Sequence, residues 1–106
     1  GLQSGGVWVD ETARTAYVDG KAISLTAKEF DLLLALVQNA GRVVSRESLA
    51  LRGWPEDDEV DPHAIDVYMN RIRTKLGPVY GTSAISTVRG VGYRFDHRPY
   101  TNGDDK

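Results

Sequence analysis

Asp61-Pro62-His63-Ala64-Ile65-Asp66-Val67-Tyr68-Met69-Asn70-Arg71-Ile72-Arg73-Thr74-Lys75-Leu76 is the stretch on which the reading of this chain turns. Asp is a favoured N-cap and Pro is tolerated at the first helical position, so Asp61-Pro62 opens a helix. Gly77-Pro78 closes it, because Gly ends helices in the left-handed conformation and Pro cannot continue them. Ile65, Met69, Ile72 and Leu76 recur at spacings of four, three and four, which is one helical face. His63, Val67, Asn70, Arg71 and Thr74 occupy the other, with Arg73 and Lys75 on its flanks. By itself this helix is equally a solvated surface helix or one that reads another molecule.

Working outward, Trp54 to Asp61 is an acidic loop. Before it, Ser45 caps a second helix that runs to about Arg52, and Gly53 stops it. Thr26-Ala27-Lys28-Glu29 is a capping box, in which Thr caps and Glu reaches back three residues later. Phe30, Leu33, Leu34 and Val37 then repeat at i, i+3, i+4 and i+7, an amphipathic helix ending near Asn39-Ala40-Gly41. Arg42-Val43-Val44 is a short extended piece. Over the first 25 residues, Val7-Trp8-Val9, Arg14 to Val18 and Lys21 to Leu25 read as strands, with Asp19-Gly20 as a hairpin turn. The sheet they form needs a partner for its apolar side. Downstream of Gly77 a polar connector leads to a strand at Ala84 to Val88, a turn at Arg89-Gly90-Val91-Gly92, and a strand at Tyr93-Arg94-Phe95.

The composition fits one soluble domain: 106 residues, 41% hydrophobic and 26% charged, without cysteine. Disulfides and thiolate metal sites are therefore excluded. No apolar run approaches the roughly 20 residues that cross a membrane, and nothing at the start resembles a signal peptide. The net charge of −2 speaks against a nucleic-acid partner, but the charge is segregated. Asp66 to Arg98 carries Arg71, Arg73, Lys75, Arg89, Arg94 and Arg98 against Asp66 and Asp96, whereas Glu56 to Asp61 is acidic throughout its charged positions. What each surface binds depends on this segregation more than on the sum.

The chemistry on offer is recognition. A major groove about 12 Å wide admits a helix, where Arg pairs with guanine, Asn with adenine, and an apolar side chain meets the thymine methyl. Asn70, Arg71, Val67 and His63 supply those groups from one face. At the hairpin, glycines permit a tight turn and close backbone approach. Arg89 at its tip suits a minor groove or a phosphate, and Thr87 and Tyr93 offer hydroxyls to phosphate oxygens. Gly-x-Gly without a following helix is not a dinucleotide site. The acidic loop lacks the central Gly and closing Glu of a calcium loop. His63 and His97 lie in different elements, with no Ser–His–acid set, so no catalytic residue, metal or cofactor is expected. Asp66 among its basic neighbours, and Asp31 and Glu29 on the first helix, read as partners of cations.

The order of sheet, three helices and basic hairpin is that of a winged helix-turn-helix, an α+β fold with an N-terminal antiparallel β-sheet and a C-terminal β-hairpin wing. Leu25-Thr26-Ala27-Lys28-Glu29-Phe30-Asp31-Leu32-Leu33 resembles the opening of the effector domains of OmpR/PhoB-type response regulators. Val43-Val44-Ser45-Arg46-Glu47-Ser48-Leu49 resembles their second-helix start, 67–76 their recognition helix, and 87–95 their wing. The match covers about Val7 to Phe95.

The resemblance implies a four-stranded N-terminal sheet, a recognition helix at 62–76 in the major groove, and a wing at 85–95 on the minor groove or backbone. It implies DNA contacts at His63, Val67, Tyr68, Asn70, Arg71 and Arg73, with Thr87, Arg89 and Tyr93 from the wing. The loop with Trp54, Glu56, Asp57, Asp58 and Glu59 is expected to meet RNA polymerase. Further expectations are a tandem dimer on direct-repeat double-stranded DNA, an N-terminal receiver domain in the full-length protein, and a cytoplasmic location without a membrane partner. Residues 1–6 read as a linker remnant, 7–98 as the domain and 99–106 as a flexible tail. Asn70 and His63 stand where many members carry basic residues. The rival expectation is a winged-helix protein-interaction module that does not bind DNA.

Overall fold

A computed structural model of the chain describes the backbone of residues 2–4, 6–57 and 59–96. Its elements are β1 (Leu2–Ser4), β2 (Val7–Asp10), β3 (Thr15–Val18), β4 (Lys21–Ile23), α1 (Ala27–Gln38), β5 (Val43–Ser45), α2 (Arg46–Gly53), α3 (Pro62–Ala84), β6 (Ile85–Val88) and β7 (Gly92–Phe95). The first four strands form an antiparallel sheet in sequence order. Asp19 and Gly20 both take positive φ, 50° and 85°, the geometry that matches a two-residue turn to the right-handed twist of its strands. Leu2–Ser4, read from the sequence as linker, is instead an edge strand that pairs Leu2 with Val9 and Ser4 with Val7.

The helices begin where their caps predict. Thr26 Oγ1 accepts from Glu29 N at 3.2 Å while Glu29 Oε1 accepts from Thr26 N at 2.9 Å, completing the capping box. Ser45 Oγ accepts from Ser48 N at 3.0 Å, and Asp61 Oδ1 accepts from His63 N at 2.9 Å. One apolar core joins Val7, Val9 and Ala16 of the sheet to Phe30, Leu33 and Leu36 of α1, Leu49 of α2, and Phe95 of β7. Ile65, Met69, Ile72 and Leu76 enter the same core and are almost fully buried, so the periodic face of α3 is its inner face. Burial of each such side chain contributes about 1.5–3 kcal/mol.

Two local expectations change. Gly77 breaks the helix with a positive φ of 93°, but its ψ of 173° is extended and not left-handed helical, and the chain beyond it is not a connector: helix resumes at Pro78 and continues to Ala84. Gly-Pro carries both signals, since Pro also suits the first turn of a new helix. Tyr80 from this second segment is buried and donates its hydroxyl to Asp19 Oδ1 at 2.7 Å, tying it to the N-terminal sheet. The hairpin of β6 and β7 also gains a third strand. β5 pairs antiparallel with β7, giving the order β5-β7-β6 with β7 in the centre.

Candidate nucleic-acid interface

The outer side of α3 is the long exposed surface beside the wing. His63, Asn70, Arg71 and Thr74 are exposed, and Val67 and Tyr68 are half-buried. Among the described residues, no ion pair engages Arg71 or Arg89. Arg71 does have a neighbour on its own helix, its guanidinium carbon lying 5.0 Å from the Tyr68 ring centroid.

Arg73 behaves differently from Arg71. Its Nη2 and Nε both donate to the carbonyl of Ile85, at 2.8 and 3.1 Å, and Nη2 also donates to Thr87 Oγ1 at 2.9 Å. Nη1 reaches Asn70 Oδ1 at 3.3 Å. A side chain expected to contact DNA thus forms a clamp between α3 and β6. Thr87 accepts this bond and keeps its own hydroxyl proton to donate outward, from an exposed position.

Tyr93 departs further from expectation. It is 3% exposed, its hydroxyl donates to Asp66 Oδ1, and so it does not lie on the surface as a phosphate ligand. Burial, reinforced by the hydrogen bond to Asp66 and its charge, pushes the phenol above its ordinary range. Conversely, the hydrogen bond from Tyr93 and then that from Arg46 hold the Asp66 carboxyl below its usual range, against the opposing effect of burial. Arg46 Nε donates to Asp66 at 3.1 Å. The guanidiniums of Arg46 and Arg73 lie 5.3 and 5.5 Å from the Tyr93 ring centroid, within cation–π range. One phenol thus links α2, α3 and the wing. Asp66 is a partner of cations, as its basic neighbours suggested; the sequence carried no sign that the tyrosine completes the set.

The two wing glycines have separate reasons. Gly90 takes φ 78° in the turn. At Gly92 a Cβ would lie 2.0 Å from Val44 O and 2.8 Å from Ser45 Cα, so β5 runs against the bare backbone. Arg89 and Val91 stand exposed at the tip.

The acidic loop leads from α2 into the start of α3. Glu56, Asp57 and Glu59 are exposed, and Asp58 lies outside the described residues. Trp54, at the start of the loop, is half-buried. Its ring meets Tyr68 nearly perpendicularly, 5.3 Å between centroids, and Lys28 Nζ lies 5.0 Å from its centroid while donating to Gly53 O at 2.7 Å. No cluster of ligands suited to a metal occurs among the described residues. No described helix is long and apolar enough to cross a membrane.

Three helices, the third open along one side and flanked by a short β-hairpin, define a winged helix-turn-helix domain. Residues 20–95 match the family described as transcriptional regulatory protein, C terminal. The chain belongs to that family, as an effector domain of the OmpR/PhoB type, a family of regulators and not of enzymes. It is 42% identical over 88 residues to the response regulator ArlR of Staphylococcus saprophyticus, covering 83% of this chain and 40% of that protein. The DNA-binding domain of Escherichia coli CpxR superposes with a TM-score of 0.79 at 34% identity, over 90% of this chain and 94% of that one. The Thermotoga maritima OmpR/PhoB homolog DrrB superposes at 0.75 with 40% identity, over 91% of this chain and 44% of that one. The chain thus spans about two fifths of the length of the curated relative it matches.

Proposed function

We propose that this domain binds double-stranded DNA sequence-specifically as the output domain of a two-component transcriptional regulator. The observation that carries the reading is the outer face of α3, where His63, Asn70 and Arg71 stand exposed on a helix that Arg73 ties to the wing, with Arg89 exposed at the wing tip. Segment 62–76 lies in the major groove, with Arg71 and Asn70 addressing base edges, His63 near the start of the helix, and Val67 against thymine methyls. Thr87 donates to a phosphate, and Arg89 meets the minor groove or backbone. Arg73 and Tyr93 serve by holding helix and wing at a fixed separation.

The loop of Trp54, Glu56, Asp57 and Glu59, with Asp58 between them, offers RNA polymerase an acidic surface. Two copies sit in tandem on direct repeats, a receiver domain precedes this one in the full-length protein, and the protein acts in the cytoplasm. Similarity to response regulators and to a DNA-binding domain supports this context.

The experiment is selection of duplex sites from a random pool, followed by titration of the selected site. Arg71→Ala is expected to weaken cognate binding by about 1–3 kcal/mol and to relax preference at one position. Unchanged cognate affinity at fixed salt defeats the assignment of the helix. The rival, a winged-helix protein-interaction module, draws on the net charge of −2 and on the internal engagement of Arg73. It requires that no duplex binding with a log–log salt dependence be found, whereas each phosphate neutralised contributes a slope of about −0.9.

A further inference from the structure

Four side chains from three parts of the fold stand in a row across the helical face: Lys28 of α1, Trp54 of the loop, and Tyr68 and Arg71 of α3. The spacings are 5.0 Å from the Lys28 ammonium to the Trp54 ring, 5.3 Å between the Trp54 and Tyr68 rings, and 5.0 Å from Tyr68 to the Arg71 guanidinium. The two rings cross at 78°, the edge-to-face arrangement that aromatic quadrupoles favour. Lys28 also bonds the Gly53 carbonyl at 2.7 Å, which fixes the chain immediately before Trp54. Lys28, Trp54 and Tyr68 are half-buried and Arg71 is exposed, so the row lies along the surface and ends at a solvent-exposed guanidinium.

From this row we infer that Tyr68 is a positioning residue for Arg71: its ring, braced by Trp54, orders the arginine before DNA arrives. The inference rests on the reading of Arg71 as the base-contacting arginine. An arginine carries several rotatable bonds, and confining them on DNA costs entropy that a stacked side chain has already lost. A tyrosine ring turns about only two bonds and is itself held, so it can hold its neighbour. Because Trp54 belongs to the α2–α3 loop, the aim of Arg71 depends on the packing of that loop. The base-addressing arginine and the acidic loop thus share a single aromatic brace.

The test uses the duplex site selected by the wild-type domain and the same site altered at the base pair where Arg71→Ala relaxes preference. The readout is the ratio of the two Kd values. Tyr68→Phe is expected to preserve it. Tyr68→Leu is expected to lower it about two- to fivefold, the scale of an exposed cation–π contact, and Trp54→Leu to lower it in the same direction. In an Arg71→Ala background neither substitution lowers it further. If Tyr68→Phe loses as much as Tyr68→Leu, or Tyr68→Leu acts undiminished without Arg71, the phenol acts on DNA itself and the inference is overturned. A measurement without DNA separates the brace from the DNA reading. In the free domain the Arg71 δ-proton resonances are expected to be ring-current shifted and to move toward unstacked values in Tyr68→Leu and Trp54→Leu. Absence of the shift overturns the brace. Its presence with no selectable site overturns the DNA reading and, with it, the role given to the brace.

Discussion

Arg73 holds the carbonyl of Ile85 with two nitrogens of one guanidinium, at 2.8 and 3.1 Å, and so fastens the recognition helix to the first strand of the wing. A planar fork can do this and an ammonium cannot. Arg73→Lys is therefore expected to lose most of what Arg73→Ala loses. Each should destabilise the free domain by about 1–3 kcal/mol, the scale of hydrogen bonds to charged groups. Urea midpoints report the loss, and amide exchange should rise first in β6. A purely DNA-contacting arginine would leave the free domain unchanged.

The Tyr93–Asp66 bond predicts a shift in titration. Tyr93→Phe keeps the ring between its two guanidiniums and removes the leading cause that holds Asp66 low. The Asp66 carboxyl should then titrate closer to the ordinary value of about 3.9. Carbon-detected NMR titration measures it directly. Stability should fall by about 1 kcal/mol, the net worth of one hydrogen bond.

Glu29 and Lys75 give the domain an acid limb. Lys75 Nζ donates to Glu29 Oε1 at 2.6 Å, and the Glu29 side chain is only 3% exposed. Burial pushes this carboxyl up, but Lys75 and the Thr26 cap outweigh it and its pKa lies below the ordinary one. The folded state accordingly binds a proton less readily than the unfolded chain. The stabilisation is complete above the unfolded value of about 4.3 and is lost as pH falls through the folded one. Glu29→Gln should flatten the acid limb of a stability–pH curve and cost about 1–3 kcal/mol at neutral pH. An acid limb of undiminished slope in the variant would assign it to other carboxylates, Asp66 first.

Gly90 and Gly92 should respond unequally to alanine. At Gly90 the cost is that of a side chain in a left-handed conformation, about 1 kcal/mol, with open space around it. At Gly92 the added Cβ meets the backbone of β5, which cannot rotate away, and overpacking of about 1–3 kcal/mol or loss of the β5–β7 pairing follows. Thermal melts of the two variants rank them, and the order Gly92 worse than Gly90 is the expected outcome.

The parts legible in the sequence were those written in local code. Thr26 with Glu29, Asp61 with Pro62, and the spacing of Ile65, Met69, Ile72 and Leu76 each specify a cap or a face within one turn, and each forms as read. Strand pairing across distance was not legible. Val43–Ser45 is three residues long, too short for its alternation to declare a partner. Leu2–Ser4 lies among glycines that read as linker. Side-chain destinations were the harder failure. Arg71 and Arg73 are two residues apart on one helix, yet one faces solvent and the other grips a carbonyl. An isolated motif cannot say which arginine finds an acceptor 12 residues downstream.

The β5 strand has a consequence for how the domain assembles. It precedes α2, whereas its partner β7 ends the described chain, so the central wing strand completes its hydrogen bonds only when segments from either side of α2 and α3 have met. Closing so long a loop costs entropy before the ladder repays it. The wing is thus expected to form late in the folding reaction and to open together with the helices between its strands, which amide exchange of β7 against α2 and α3 measures. Such a wing has its shape set by folding, before any partner is met.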